Sequence, residues 1–138
     1  MKNTGREIKR AANQMDKAMD AYARSFDLTG VQLSIIHMLS ERKQQIVLQR
    51  DIEQEFNIQR STATVILQRM EKKGLIQRKK ADQDARQKQV MLTSTASAFE
   101  KSATEYIDGQ QVLIEQKFTE QQRKDFEAIL AFFIEQNS

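Results

Sequence analysis

Nine lysines and arginines (Arg60, Arg69, Lys72, Lys73, Arg78, Lys79, Lys80, Arg86 and Lys88) fall within residues 57–93 against three acids, Glu71, Asp82 and Asp84, a net of +6. Residues 1–56 balance nine bases with eight acids, and residues 94–138 hold four bases and eight acids, a net of −4. A basic centre between a near-neutral and an acidic segment marks where a polyanion would sit. The chemistry on offer is electrostatic and hydrogen-bonding rather than covalent. A single His, His37, and no Cys leave no nucleophile–base–acid set, no thiolate ligand and no thiol switch. There is no Gly-rich phosphate loop and no His/Cys/Asp/Glu cluster with ligand spacing, so neither a cofactor nor a metal is expected.

The basic residues divide into two groups by local pattern. Arg60 to Lys73 reads as a helix with the buried stripe Ala63, Ile66, Leu67 and Met70, stopped by Gly74 in a left-handed cap. Gln59, Arg60, Ser61, Thr62, Thr64, Val65, Gln68 and Arg69 lie off that stripe. Ser61 and Thr62 occupy the first turn, where hydroxyls and free N–H groups hold a phosphate or simply cap the helix. Arg60 can reach the O6/N7 edge of guanine, and Thr64 and Val65 a thymine methyl. Arg69, farther along, is placed for the DNA backbone or an acidic neighbour.

The second group lies on a hairpin, Leu75–Lys80 and Lys88–Thr93, joined by the charged tip Ala81–Gln87. A guanidinium at such a tip, here Arg86, enters a narrow A·T-rich minor groove, with Asp84 two residues away to hold it or to pair with it structurally. Lys79, Lys80 and Lys88 are backbone clamps that add affinity without sequence information. A polar, basic helix followed by a basic two-stranded tip suits the two grooves of a duplex.

Helices must position these groups. The chain has 138 residues, no Pro and four Gly, a composition that favours a mainly α fold with one small β-hairpin. Ile8, Ala11, Ala12, Met15, Ala18, Met19 and Tyr22 stripe a first helix over 4–24. Asp27 or Thr29 caps a second, with Val31, Ile35, Ile36 and Leu39 inward. Ile46-Val47-Leu48 is an extended piece able to pair with the later hairpin, and Gln49–Phe56 a short helix burying Ile52 and Phe56. Asn57 tolerates the left-handed turn before the basic helix. Thr95 or Ser97 opens a helix to about Gln116, and Thr119 another with the stripe Phe126, Ile129, Leu130, Phe133 and Ile134. The apolar stripes of the first and last helices point to a dimer interface, since a two-fold protein on a two-fold site gains affinity and register. No window approaches the roughly 18 apolar residues of a membrane span, and MKNTGREIKR lacks a signal-peptide core; cytoplasmic residence is expected.

The run Arg60-Ser61-Thr62-Ala63-Thr64 … Leu67 … Met70-Glu71-Lys72-Lys73-Gly74-Leu75-Ile76 … Arg78, then Asp82-x-Asp84-x-Arg86 and Val90-x-Leu92-Thr93, resembles the winged helix of the MarR (multiple antibiotic resistance regulator) family. With the flanking helices, the resemblance covers essentially the whole chain. It implies one MarR-like domain over 1–138, with a winged helix-turn-helix lobe at 29–94 and helical dimerisation regions at 1–28 and 95–138. It further implies a triangular homodimer, most often a repressor, on a pseudo-palindromic double-stranded DNA operator, released by a small aromatic or amphipathic effector. Such effectors lodge between the dimer helices and the lobe, where Met15, Met19, Tyr22, Phe26 and His37 are candidates here. Ala96 stands where the family usually carries Gly, and Val65 where Arg or another polar residue is frequent. The competing reading is a winged helix turned to protein partners without DNA binding; the Lys/Arg excess on the hairpin argues against it.

Overall fold

The computed structural model describes residues 2–136. Helix α1 (Thr4–Arg24) starts where the Asn3 side chain accepts a hydrogen bond from the Arg6 N–H at 2.9 Å. The chain then turns through Asp27, held in the left-handed region at φ 59°, and Thr29 caps α2 (Gly30–Glu41). Of the two expected caps, Thr29 is the one used. Its hydroxyl accepts from Gln32 N–H at 3.2 Å while the Gln32 side chain accepts from Thr29 N–H at 3.1 Å, so two otherwise orphaned donors are satisfied. Asp20 of α1 adds a third, accepting from Gly30 N–H at 2.7 Å. Helix α2 is the centre of the core: Leu33, Ile35 and Ile36 are fully buried, and Met38 and Leu39 nearly so.

Val47 and Leu48 are extended and edge the later hairpin, as their β-prone types suggested: Val90 N–H donates to Val47 C=O at 2.9 Å, and Leu48 bridges Gln89. Helix α3 (Gln49–Phe56) follows, its first turn fastened by the Asp51 carboxylate accepting from Leu48 N–H at 2.8 Å. Ile52 is fully buried, but Phe56 is only half-buried, because it closes the end of the short helix beside an open cleft. Asn57 at φ 50° makes the turn into α4 (Arg60–Lys72), whose Ala63, Leu67 and Met70 seat fully in the core while Ile66 packs at its margin. Gly74 at φ 76° ends α4, and Leu75 N–H returns to Met70 C=O at 3.0 Å, the geometry of a left-handed helix stop.

Strands β1 (Ile76–Lys80) and β2 (Lys88–Leu92) pair antiparallel, with Ile76 opposite Leu92 and Arg78 opposite Val90. Ile76 and Val90 are buried on the inner face, as a period of two requires. Thr93 ties the base of the hairpin, its hydroxyl donating to Gly74 C=O at 2.5 Å. A single 3-10 turn, Ser94–Ala96, precedes α5 (Ser97–Lys117), so Ser97 rather than Thr95 opens the helix. Ala96 is fully buried, its methyl taken into the core. The start of α5 is held by aromatic packing: Phe26 meets Tyr22 and Phe99 edge-on at 5.3 and 6.1 Å, and Tyr22 donates to Ser102 C=O at 3.1 Å.

The chain divides into two units, Met1–Ala103 and Thr104–Ser138. The second contains the rest of α5 and α6 (Glu120–Gln136), started by reciprocal bonds between Thr119 and Gln122 at 2.9 and 3.1 Å. No described residue of α6 is buried.

Candidate nucleic-acid interface

The first turn of α4 presents free backbone N–H groups, because its cap Gln59 makes no side-chain bond to them. Ser61 and Thr62 are exposed there, their hydroxyls making no hydrogen bond to the side chains of other described residues. Val65 is 44% exposed, on the outward face with Gln68. A thymine methyl or a sugar edge would suit the Val65 side chain, and a phosphate the turn beneath it.

Two of the expected contact residues also have neighbours within the protein. Thr64 is half-buried: its hydroxyl donates to Arg60 C=O at 2.8 Å and accepts from Gln49 at 2.9 Å. Its polar atom is therefore committed within the protein. Arg69 is exposed one turn beyond Val65 and lines the end of α4 toward the α1–α2 turn, near Asp27 and Leu28.

The hairpin tip is ordered by its own side chains. Ala81 N–H bonds Gln87 C=O at 3.0 Å and Gln87 N–H bonds Asp84 C=O at 2.9 Å. The Asp84 carboxylate accepts from Arg86 N–H at 3.0 Å and lies 3.5 Å from Arg86 Nε. Arg86 nonetheless stays 91% exposed, so Asp84 shapes the turn while the guanidinium projects into solvent. Arg60 reaches across from α4 and donates to Arg86 C=O at 3.3 Å, joining the two basic groups directly. Lys79, Lys80 and Lys88 are exposed. Lys80 and Lys88 face each other in register, a like-charge pair that costs stability unless an anion lies between or above them.

Behind this surface lies a set of contacts that the sequence reading missed. Arg78, a charged residue on the inward face of β1, is only 9% exposed at its side chain and pairs with Glu71 of α4 at 3.1 Å. It also donates to Gln49 at 3.4 Å. Gln49, 6% exposed, thus connects α3 to α4 and to the wing. The strand alternation could have exposed Arg78 as inward-facing, since it shares the parity of Ile76; its count among surface cations concealed that.

The candidate effector residues are dispersed. Met19 lines a cleft of about 670 Å³ between α1, α2 and the α3–α4 pair, with Asp16, Asp20, Phe56, Ile58 and Ile66, and its sulfur accepts from Ser34 at 3.0 Å. Met15 is exposed, Tyr22 and Phe26 are occupied in aromatic packing, and His37 is buried with Nδ1 3.4 Å from Glu41. None of these four lines that cleft. Among the described residues no group of three acids or histidines could hold a metal, and no helix is long and apolar enough to cross a membrane.

The sequence model of the MarR family matches residues 26–87. The transcription regulator MarR from Oenococcus oeni PSU-1 is 44% identical over 96% of this chain and 99% of its own, with a TM-score of 0.85. S. aureus MepR superposes at 21% identity with a TM-score of 0.86 in its complex with DNA, over 100% of each chain. In its DNA-binding conformation the TM-score is 0.89, over 99% of this chain and 100% of that one, again at 21% identity. A comparison with curated proteins finds no significant match. Identity of 44% across nearly the whole of both chains, on a winged helix with a basic outer face, leads to one conclusion: this chain belongs to the MarR family of DNA-binding, winged-helix transcription regulators.

Proposed function

We propose that the protein is a homodimeric repressor of a pseudo-palindromic operator, released by a small aromatic or amphipathic molecule. Helix α4 enters the major groove through Arg60, Ser61, Thr62 and Val65, with the Thr64 methyl beside them, and Arg86 enters the adjacent minor groove. Lys79, Lys80 and Lys88 clamp the backbone. The observation that carries this reading is the direct bond from Arg60 to Arg86 C=O, which holds the α4 N-terminus and the projecting wing tip as one basic surface. The likeness to MepR, a protein whose structure with DNA is known, favours the same use of the fold.

Dimerisation is supported by the second unit. Val112, Leu113, Phe118, Phe126, Ile129, Phe132 and Ile134 are all exposed, an apolar surface too large for a chain that stays alone in water. In a two-fold dimer, two α4 helices about 34–36 Å apart would meet successive major-groove turns. An effector that prefers a different separation would remove the bivalent advantage without touching DNA. The cleft beside Met19 is a place for it. The single domain over 1–138, with a lobe at 29–94 and helical dimerisation regions on either side, is the organisation this mechanism uses.

The test is binding to fragments that include the DNA upstream of the protein's own gene, at two salt concentrations with non-specific competitor, followed by footprinting. A palindromic, competitor-resistant footprint with steep salt dependence is expected. Binding that competitor abolishes at every fragment would overturn the operator reading and favour a protein-docking winged helix.

A further inference from the structure

Among the described residues three polar ones are buried: Gln32, His37 and Gln49. Gln32 completes the cap of its own helix and His37 meets Glu41 one turn away, so both are explained locally. Gln49 is not. Its amide donates to Thr64, 15 residues on, and accepts from Arg78, 29 residues on. A leucine would fill the same volume without a polar group to desolvate, so an amide here costs stability unless its bonds are made. What such a bond pair supplies is direction: each partner must lie at one distance and one angle.

The backbone of Gln49 is fixed as well. It is the first residue of α3 and follows Val47 and Leu48, which pair with β2. Its backbone is thus registered to one strand of the wing, while its side chain ties to the other strand and to α4. Thr64, the α4 end of the tie, faces the boundary between the buried stripe and the outward face, so pinning its hydroxyl sets the rotation of α4 about its axis. Arg78 is held at its other side by Glu71, which returns the chain of contacts to α4 and closes it.

We infer that Gln49 is a positioning residue for operator recognition: through Thr64 and Arg78 it sets the rotation of α4 relative to the wing, so that both grooves are engaged in one register. This rests on the DNA-binding reading above. It assigns Thr64 a share in specificity through its orientation and not through its hydroxyl.

The test is Gln49→Leu in the full chain, with Gln49→Met as the second variant should the first fail to fold. Residual dipolar couplings of backbone amides in the free protein report whether α4 and the hairpin still fit one common orientation. Operator and random-sequence DNA are then titrated in parallel. The expected result is a retained fold with a Tm lowered by a few degrees at most, loss of the common orientation, and a fall of about tenfold in the operator-to-random affinity ratio, the effect of one or two hydrogen bonds. Random-sequence affinity stays within about twofold, since the phosphate clamps are intact. Couplings that keep the wild-type orientation, or an unchanged affinity ratio beside specific wild-type binding, would overturn the inference. Wild-type protein that shows no operator preference would remove the DNA reading instead, and the couplings alone would still decide whether Gln49 orients α4.

Discussion

The lobe and the C-terminal helices solve the problem of burial in opposite ways. In the lobe, α2 is enclosed by α1, α3, α4 and the hairpin, and nearly every apolar side chain it carries is out of water. In α6, a helix five residues longer by its bounds, no described side chain is buried, and Phe126 remains 57% exposed. Composition differs too, since α2 carries one charged residue and α6 six, yet α6 still leaves large apolar side chains such as Phe126, Phe132 and Ile134 in water. The lobe's fold is complete within one chain. The C-terminal unit leaves its large apolar side chains exposed, and a second copy is the occupant proposed above.

That contrast can be broken most forcefully at Phe126. Phe126→Asp places a charge on the apolar face of α6, and self-association is expected to weaken by more than about 100-fold, the scale of a hot-spot loss. Sedimentation equilibrium reads it, with operator affinity falling in parallel because bivalency is lost. A variant that stayed dimeric would place the interface elsewhere. Next in size is Arg86→Ala, confined to the lobe. Its far-UV circular dichroism and Tm should match the parent, while operator affinity drops by roughly 10- to 30-fold as the minor-groove contact goes. Unchanged affinity would leave Arg86 a surface residue and the Asp84 turn purely structural.

A smaller effect separates positioning from reading. Lys79→Ala should weaken all DNA sequences alike and lower the slope of log K against log salt by about one, measured by titration at several salt concentrations. A change in base preference instead would move Lys79 from clamp to reader. The finest probe compares one residue type in the two units. Gly74 sits at φ 76° with open space around its missing side chain, so Gly74→Ala is expected to cost about 1 kcal/mol through backbone strain alone. Gly109 lies inside α5, also with nothing near, and Gly109→Ala is expected to stabilise by up to about 1 kcal/mol through helix propensity. Thermal unfolding of both variants checks the opposed signs. Destabilisation at Gly109 would mean that another chain packs there.

Much of the lobe was legible because local signals agreed with the packing. The Asn57 turn, the Gly74 stop, the hairpin and the pairing of Val47 and Leu48 with it all follow from residue types whose backbone preferences are strong. The exposed placement of Arg86 and of the three wing lysines could be read the same way. The protein neighbours of Thr64 and Arg69 could not be. Both lie near the edge of the buried stripe, where a shift of a few tens of degrees decides between solvent, DNA and a neighbouring helix. Gln49 shows in the sequence only as a helix start, because nothing in spacing shows that a residue at position 49 meets positions 64 and 78. Such contacts depend on the tertiary approach of three elements. The dispersal of Met15, Tyr22, Phe26 and His37 has the same origin: helical spacing shows that side chains share a face, and not whether that face meets a cavity or another ring.

The contact between Asp20 and Gly30 has a consequence for inheritance. A Cβ added at position 30 would stand 2.7 Å from the Asp20 carboxylate oxygen, the atom that now accepts the Gly30 N–H. The coupling runs one way: Asp20 can change while Gly30 stays, at the loss of one hydrogen bond, but a side chain at 30 displaces the carboxylate and crowds Met19 and the Asp20 backbone. Drift at position 20 is therefore open while drift at position 30 is not. Asp20→Ala should therefore be tolerated with a small loss of Tm while Gly30→Ala costs more, and a smaller residue at 20 should restore only part of that loss because the Met19 and Asp20 backbone contacts remain.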